Sequence, residues 1–139
     1  MHIRNSTPAD AERMFAIWHD AVVATHDFLS DGDIAAIAEQ VRPYLAEGEF
    51  LVAVDDDEKA LGFLGATGRH VDALFVDPKM QGHGIGRALM AAVEADTVDV
   101  NEQNPGALAF YRRIGFEIAG RSPYDDQGRP FPILHLRIG

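Results

Sequence analysis

The sequence predicts one α/β domain of the α+β kind, a mixed sheet with helices on both faces, spanning residues 1–139. Three observations lead there. The chain has 139 residues, 47% of them hydrophobic, which suits one ordinary globular core. Apolar spacing alternates between period two and period 3.6 in the order βααβββαβαββ. A glycine-rich turn also stands where a strand-like run feeds a helix. No linker, repeat or composition break suggests a second domain.

The elements follow in order. Residues 3–5 form a short first strand. Thr7 is a helix N-cap with Pro8 at the first helical position, and Met14, Ile17, Trp18, Ala21 and Val22 then recur at helical spacing. A loop over residues 25–31 precedes a second helix, with Ile34, Ile37, Ala38, Val41 and Leu45 on its apolar face. Pro43 should kink or fray its end. Residues 50–54 read as a buried strand, closed by the acidic turn at 55–58. Residues 60–68 form a third strand, weakened by Gly62, Gly65 and Gly68, and 69–76 a fourth. A helix with Ile85, Leu89 and Val93 on one face follows, then a fifth strand at 97–101. Asn104 as N-cap, Pro105 at the first position and Gly115 as the stop define the next helix, with Ala107, Phe110, Tyr111 and Ile114 on one face. Strands at 116–120 and 133–137 flank the turn signal Asp125-Asp126-Gln127-Gly128.

The chemistry concentrates at the strand-to-helix junction Asp77-Pro78-Lys79-Met80-Gln81-Gly82-His83-Gly84-Ile85-Gly86-Arg87. Such a turn leaves backbone N–H groups unpaired and pointing one way. With the positive end of the helix dipole they form a site for phosphate or pyrophosphate. The glycines let the backbone approach that ligand closely. A Walker loop needs Gly-Lys-Ser/Thr, which is absent. A dinucleotide fingerprint needs a third glycine where Arg87 stands. The loop matches Gln/Arg-x-x-Gly-x-Gly/Ala through Gln81, Gly84 and Gly86. Taken without a ligand, it would be only a tight turn, and Tyr111 only a core aromatic.

The two segments together, in this order and at this distance, resemble the GCN5-related N-acetyltransferases (GNAT). The first resembles the family's pyrophosphate loop. The second, Asn101 through Asn104, Phe110-Tyr111 and Gly115-Phe116, resembles its other signature. The stretch from Ala24 to Ser30, with 70–78 and 100–104, resembles its small bacterial YjaB-type branch. The resemblance implies the GNAT fold, whose mostly antiparallel sheet of six to seven strands splays after the fourth. It implies acetyl-CoA as cosubstrate, bound by Gln81, Gly82, His83, Gly84, Ile85, Gly86 and Arg87. The backbone of Leu74, Phe75 and Val76 would hold the pantetheine arm as an added strand, with Asn104 on its other side. Tyr111 takes the family's position for the acid that protonates the departing thiolate, whose pKa is about 8.5 against about 10 for a phenol. His70 and Asp72, two residues apart on the fourth strand, are candidates for the base. His26 and Asp27, in the loop that covers the family's acceptor site, are candidates for acceptor binding.

Transfer to an amine requires a neutral nitrogen. A lysine-type amine with pKa near 10.4 is neutral in about one molecule in a thousand at pH 7.4, a gap of about 4 kcal/mol. With no cysteine in the chain, direct attack on the thioester is the economical route, and a backbone N–H near Val76 could stabilise the oxyanion.

Composition bounds the rest. The absence of cysteine excludes a disulfide scaffold and a thiolate metal site, and no His-x-x-x-His pairing suggests a metal. The formal charge of −10 repels nucleic acid. It leaves Lys79, Arg87, Arg112 and Arg113 as local cations for an anionic cosubstrate and favours a cationic amine acceptor. It would equally serve solubility alone. No apolar run reaches the roughly eighteen residues of a membrane span, and Met1-His2-Ile3-Arg4 lacks a signal peptide's apolar region. The expected setting is a cytoplasmic monomer or homodimer. The acceptor, a small molecule or a protein lysine, stays open. So do a longer acyl chain, which the space around Phe63, Phe75 and Phe110 would decide, and a non-catalytic acyl-CoA sensor on the same fold.

Overall fold

The start of the first helical segment follows from its residue types. In the computed structural model, which describes residues 1–25 and 28–138, Pro8–Asp10 is a turn of 3-10 helix leading into α1 (Ala11–Thr25). Pro8 fills a position whose N–H would have no acceptor, and the Asp10 carboxylate accepts the Thr7 N–H at 2.7 Å. α1 buries Met14, Phe15, Ile17, Trp18, Ala21 and Val22.

α2 (Asp31–Glu47) opens on a reciprocal cap. Ser30 Oγ accepts the Asp33 N–H, and the Asp33 carboxylate accepts the Ser30 N–H, each at 3.0 Å. The helix continues through Pro43 to Glu47, keeping Leu45 on its apolar face. A proline removes a single helical N–H, and Leu45, 3% exposed, anchors the last turn to the sheet.

The strands are β1 (His2–Asn5), β2 (Leu51–Val54), β3 (Ala60–Thr67), β4 (His70–Val76), β5 (Thr97–Asn101), β6 (Phe116–Ser122) and β7 (Ile133–Ile138). Between them lie α3 (Ile85–Ala92) and α4 (Pro105–Arg113). The element order matches the sequence expectation, with strand ends moved by one or two residues and the loop helix closing at Ala92. One sheet of seven strands runs β1-β2-β3-β4-β5-β7-β6. Every neighbouring pair is antiparallel except β4 with β5.

Alternation along the strands sends side chains to two cores. Val52, Val54, Ala60 and Phe63 pack under α1 and α2. Leu61, Leu64, Val71, Val98, Val100, Leu134 and Leu136 pack with Ile85, Leu89 and Met90 of α3 and Tyr111 of α4.

The decisive feature lies between β4 and β5. They pair only at His70↔Thr97 and Val71↔Val98. β4 stays paired with β3 as far as Val76↔Gly62, while β5 turns away to pair with β7 along its whole length. From Ala73 onward the β5 side of β4 is therefore open. The β3–β4 register slips between Gly65 and Ala66, leaving Asp72 opposite no single partner.

Candidate active site

The loop before α3 is held at its entrance and open at its crest. At the entrance the Asp77 N–H donates to the Leu61 carbonyl at 2.8 Å. Its carboxylate accepts the Lys79 N–H at 3.0 Å and Arg13 Nη2 at 2.8 Å. Burial pushes the Asp77 carboxyl up, but these donors outweigh it, so the group sits below the usual carboxylate range. At the crest Gly82 and Gly84 have φ of 81° and 76°, and a Cβ on either would meet nothing within 4 Å. Gly84 caps α3 without a side chain. The N–H groups of Gly82, His83 and Gly84 find no backbone acceptor among the described residues. Those of Ile85, Gly86 and Arg87 open the helix and lack an intrahelical partner by construction. His83 Nδ1 lies 3.1 Å from the carbonyls of Met80 and Gln81, so this nitrogen carries the proton. A Cβ at Gly86 would come within 3.1 Å of the Phe110 ring, so glycine there lets α3 close on α4. Free donors under open space fit the pyrophosphate of acetyl-CoA.

The opening between β4 and β5 leads from this loop toward α4. Leu74, Phe75 and Val76 form its β4 edge. Asn104 caps α4, its Oδ1 accepting the Ala107 N–H at 3.1 Å. Tyr111 is 6% exposed and meets Phe110 and Phe116 edge-to-face, at 5.1 and 5.8 Å between ring centres. Burial pushes its phenol well above the ordinary value. Its hydroxyl makes no hydrogen bond among the described residues, yet no described side-chain polar atom is sealed away without a partner. The hydroxyl therefore reaches an opening that solvent or a ligand can enter.

On the sheet face toward α2 lies a cavity of about 360 Å³. Trp18, Phe63 and Phe75 form its apolar wall, and Tyr44 and Gln40 of α2 close one side. The carboxylates of Asp72, Asp99, Asp125 and Asp126 line the rest. Burial and then the charge of Asp72 raise the Tyr44 phenol. Phe110 lies instead at Gly86, so the aromatic trio named from the sequence is divided between two places.

A polar chain runs behind the cavity wall. His70 Nδ1 is 2.8 Å from Thr97 Oγ1, and its Nε2 is 3.6 Å from Asp99 Oδ2 and 4.0 Å from Asp72 Oδ1. The other Asp72 oxygen accepts Thr67 Oγ1–H at 2.7 Å. Asp99 Oδ1 is 2.7 Å from His135 Nδ1, and His135 Nε2 is 2.7 Å from Ser122 Oγ. Among the described residues no group of three or more histidines and carboxylates is placed to hold a metal ion.

His70 and Asp72 do come together, as their spacing on β4 implies, but only Asp72 lines the cavity. His26 and Asp27 lie outside the described residues. Sequence reasoning missed Asp99, His135, Tyr44 and the carboxylates of the β6–β7 turn. A signal existed for one of them. Asp99 stands between the buried Val98 and Val100, so period two places it on the face opposite their core.

Residues 20–132 match the family model described as an acetyltransferase (GNAT) domain. The chain is 44% identical to the peptidyl-lysine N-acetyltransferase YjaB of Salmonella typhimurium, covering 98% of this chain and 97% of that protein. Its structure superposes on the solution structure of apo-form YjaB from Escherichia coli with a TM-score of 0.93, at 42% identity and covering 98% and 95% of the two chains. A more distant likeness, of fold alone, joins it to the acetyl-CoA complex of YncA, a putative acetyltransferase from Salmonella typhimurium, at 19% identity, a TM-score of 0.67 and coverage of 99% and 92%.

Proposed function

The chain belongs to the acetyltransferase (GNAT) domain family, and from that premise we propose that it acetylates the side-chain amine of lysine in a protein or peptide. It is an acetyl-CoA-dependent N-acetyltransferase that transfers the acetyl group directly to a primary amine. The acceptor's identity is the further step. One observation carries it: a cavity lined by Asp72, Asp99 and Asp126, with Asp125 paired to Arg129 at its edge, suits a cationic group. The relatives named as peptidyl-lysine acetyltransferases point the same way.

The chain's own groups divide the work. The N–H groups of residues 82–87 hold the pyrophosphate, and the β4 edge at Leu74, Phe75 and Val76 aligns the pantetheine arm, with Asn104 facing it. Bound acetyl-CoA supplies the activated acyl group. Tyr111 donates the proton that the leaving sulfur requires. A phenol raised by burial stays protonated at every working pH, so it acts as a donor and not as a base. His70 and Asp72 stand at the closed end of the opening, where β4 still pairs with β5, beside Asp99. Among the described residues no helix is long and apolar enough to cross a membrane.

The test is acetyl-CoA consumption against lysine peptides, polyamines, aminoglycosides and anionic amino acids, with products located by mass spectrometry. Lysine peptides should lead, and their KM should rise with ionic strength as the cavity's charge is screened. Equal rates with anionic amines, or a KM indifferent to salt, would sink the reading.

A further inference from the structure

We propose that Asp99 is a catalytic residue of this transfer. It binds the ammonium of the acceptor and takes its proton, with His135 and His70 as positioning residues on its two oxygens. The inference rests on the cationic acceptor proposed above. Asp99 is the carboxylate of the cavity wall that two imidazoles address at once. His135 Nδ1 meets Oδ1 at 2.7 Å and His70 Nε2 faces Oδ2 at 3.6 Å. Each imidazole is braced from behind by a hydroxyl, Ser122 Oγ at 2.7 Å and Thr97 Oγ1 at 2.8 Å.

These contacts select tautomers. A carboxylate only accepts, so His135 presents Nδ1–H to Asp99 and its Nε2 takes the Ser122 hydroxyl proton. The sequence Ser122–His135–Asp99 has the connectivity of a nucleophile triad, but the cavity selects a different use. Asp99 lines it, whereas His135 and Ser122 do not. The group that meets a substrate is therefore the carboxylate, and the serine stands last in line.

The charged and titratable surroundings of Asp99 come from every neighbouring element. His70 and Asp72 face it from β4 and His135 from β7. Asp125 and Asp126 of the β6–β7 turn and Tyr44 of α2 line the same cavity, and Arg129 of that turn pairs with Asp125 at 3.5 Å. The acidic groups favour a cation at this spot, and the histidines hold Asp99 in one orientation toward it.

The proton count closes. Of the ammonium's three protons, one passes to Asp99 and leaves from that half-exposed carboxyl to water. The nitrogen lone pair so freed forms the bond to the acetyl carbon as the carbon–sulfur bond breaks. A second proton ends on the coenzyme A sulfur by way of Tyr111, and the third stays on the amide.

Asp99→Asn keeps the shape and removes the base. Its side chain is 41% exposed, so the fold should tolerate the change. We expect kcat/KM for a lysine peptide to fall about 10²–10⁴-fold, while coenzyme A binding by calorimetry and the melting temperature hold. His135→Ala removes a donor to the charged carboxylate. The kcat for the lysine peptide should therefore fall with coenzyme A affinity held, His135→Gln, which keeps an N–H donor, should restore much of it, and Ser122→Ala should cost less. A folded Asp99→Asn protein within threefold of wild type would overturn the proposal. So would a His135→Ala protein with the wild-type kcat, or a His135→Gln protein no better than the alanine variant. If wild type itself acetylates no cationic amine, the acceptor assignment fails instead, a result visible before any variant is made.

Discussion

Arg13 on α1 and Asp77 at the end of β4 are joined at 2.8 Å, and the same guanidinium donates through Nε to the Ala60 carbonyl at 3.0 Å. One side chain thus ties α1 to the residue that opens the glycine-rich loop before α3. Asp77 completes the junction by accepting the Lys79 N–H.

Asp77→Ala should release that junction. Hydrogen bonds to charged groups contribute about 1.5–3 kcal/mol, so a stability loss of that order is expected in urea unfolding. The loop's first turn loses its cap, so coenzyme A affinity should drop as well. A variant that unfolds at the wild-type midpoint would show the pair to be incidental.

Gly84→Val addresses the crest of the loop. The position has φ of 76° and open space where a Cβ would go. A branched side chain would strain the turn and occupy the ligand's place. The coenzyme A dissociation constant should rise tenfold or more, about 1.4 kcal/mol, measured calorimetrically on a folded sample. Unchanged binding would remove this loop from the cosubstrate site.

Tyr111→Phe keeps the ring and its contacts with Phe110 and Phe116 while deleting the proton. Turnover should fall about 10²–10⁴-fold with little change in coenzyme A affinity. Because the hydroxyl has no partner among the described residues, melting should stay within about 0.5 kcal/mol of wild type. A loss below about threefold would leave Tyr111 as a core aromatic.

Acid stability should depend on Asp10. The Arg4 hydrogen bond, against the opposing effect of burial, holds this carboxyl below its usual range. A carboxyl depressed in the folded state contributes stability that is complete above its unfolded pKa of about 3.9. That contribution is lost as pH falls through the lower, folded value. Asp10→Asn should therefore cost stability at pH 7 and flatten the decline below about pH 4. Parallel acid melts of variant and wild type would refute this.

Much of the site was legible before any folding because its cause is local. The glycines at 82, 84 and 86, the caps at Asn104 and Pro105, and Tyr111 about two turns into its helix all follow from residue types at fixed offsets. Alternation and helical spacing likewise determined the element order and which side chains face a core. Other features needed the tertiary structure. That α2 stays helical through Pro43 to Glu47 goes with the burial of Leu45 in the core under α1 and α2. The opening beyond Val71 exists because β5 leaves β4 for β7. The line from Asp72 through His70, Asp99 and His135 to Ser122 crosses four strands and joins residues up to 65 positions apart, from His70 to His135, through strand order and register. No local rule encodes those pairings, since the energy that selects them comes from two cores closing on one twisted sheet.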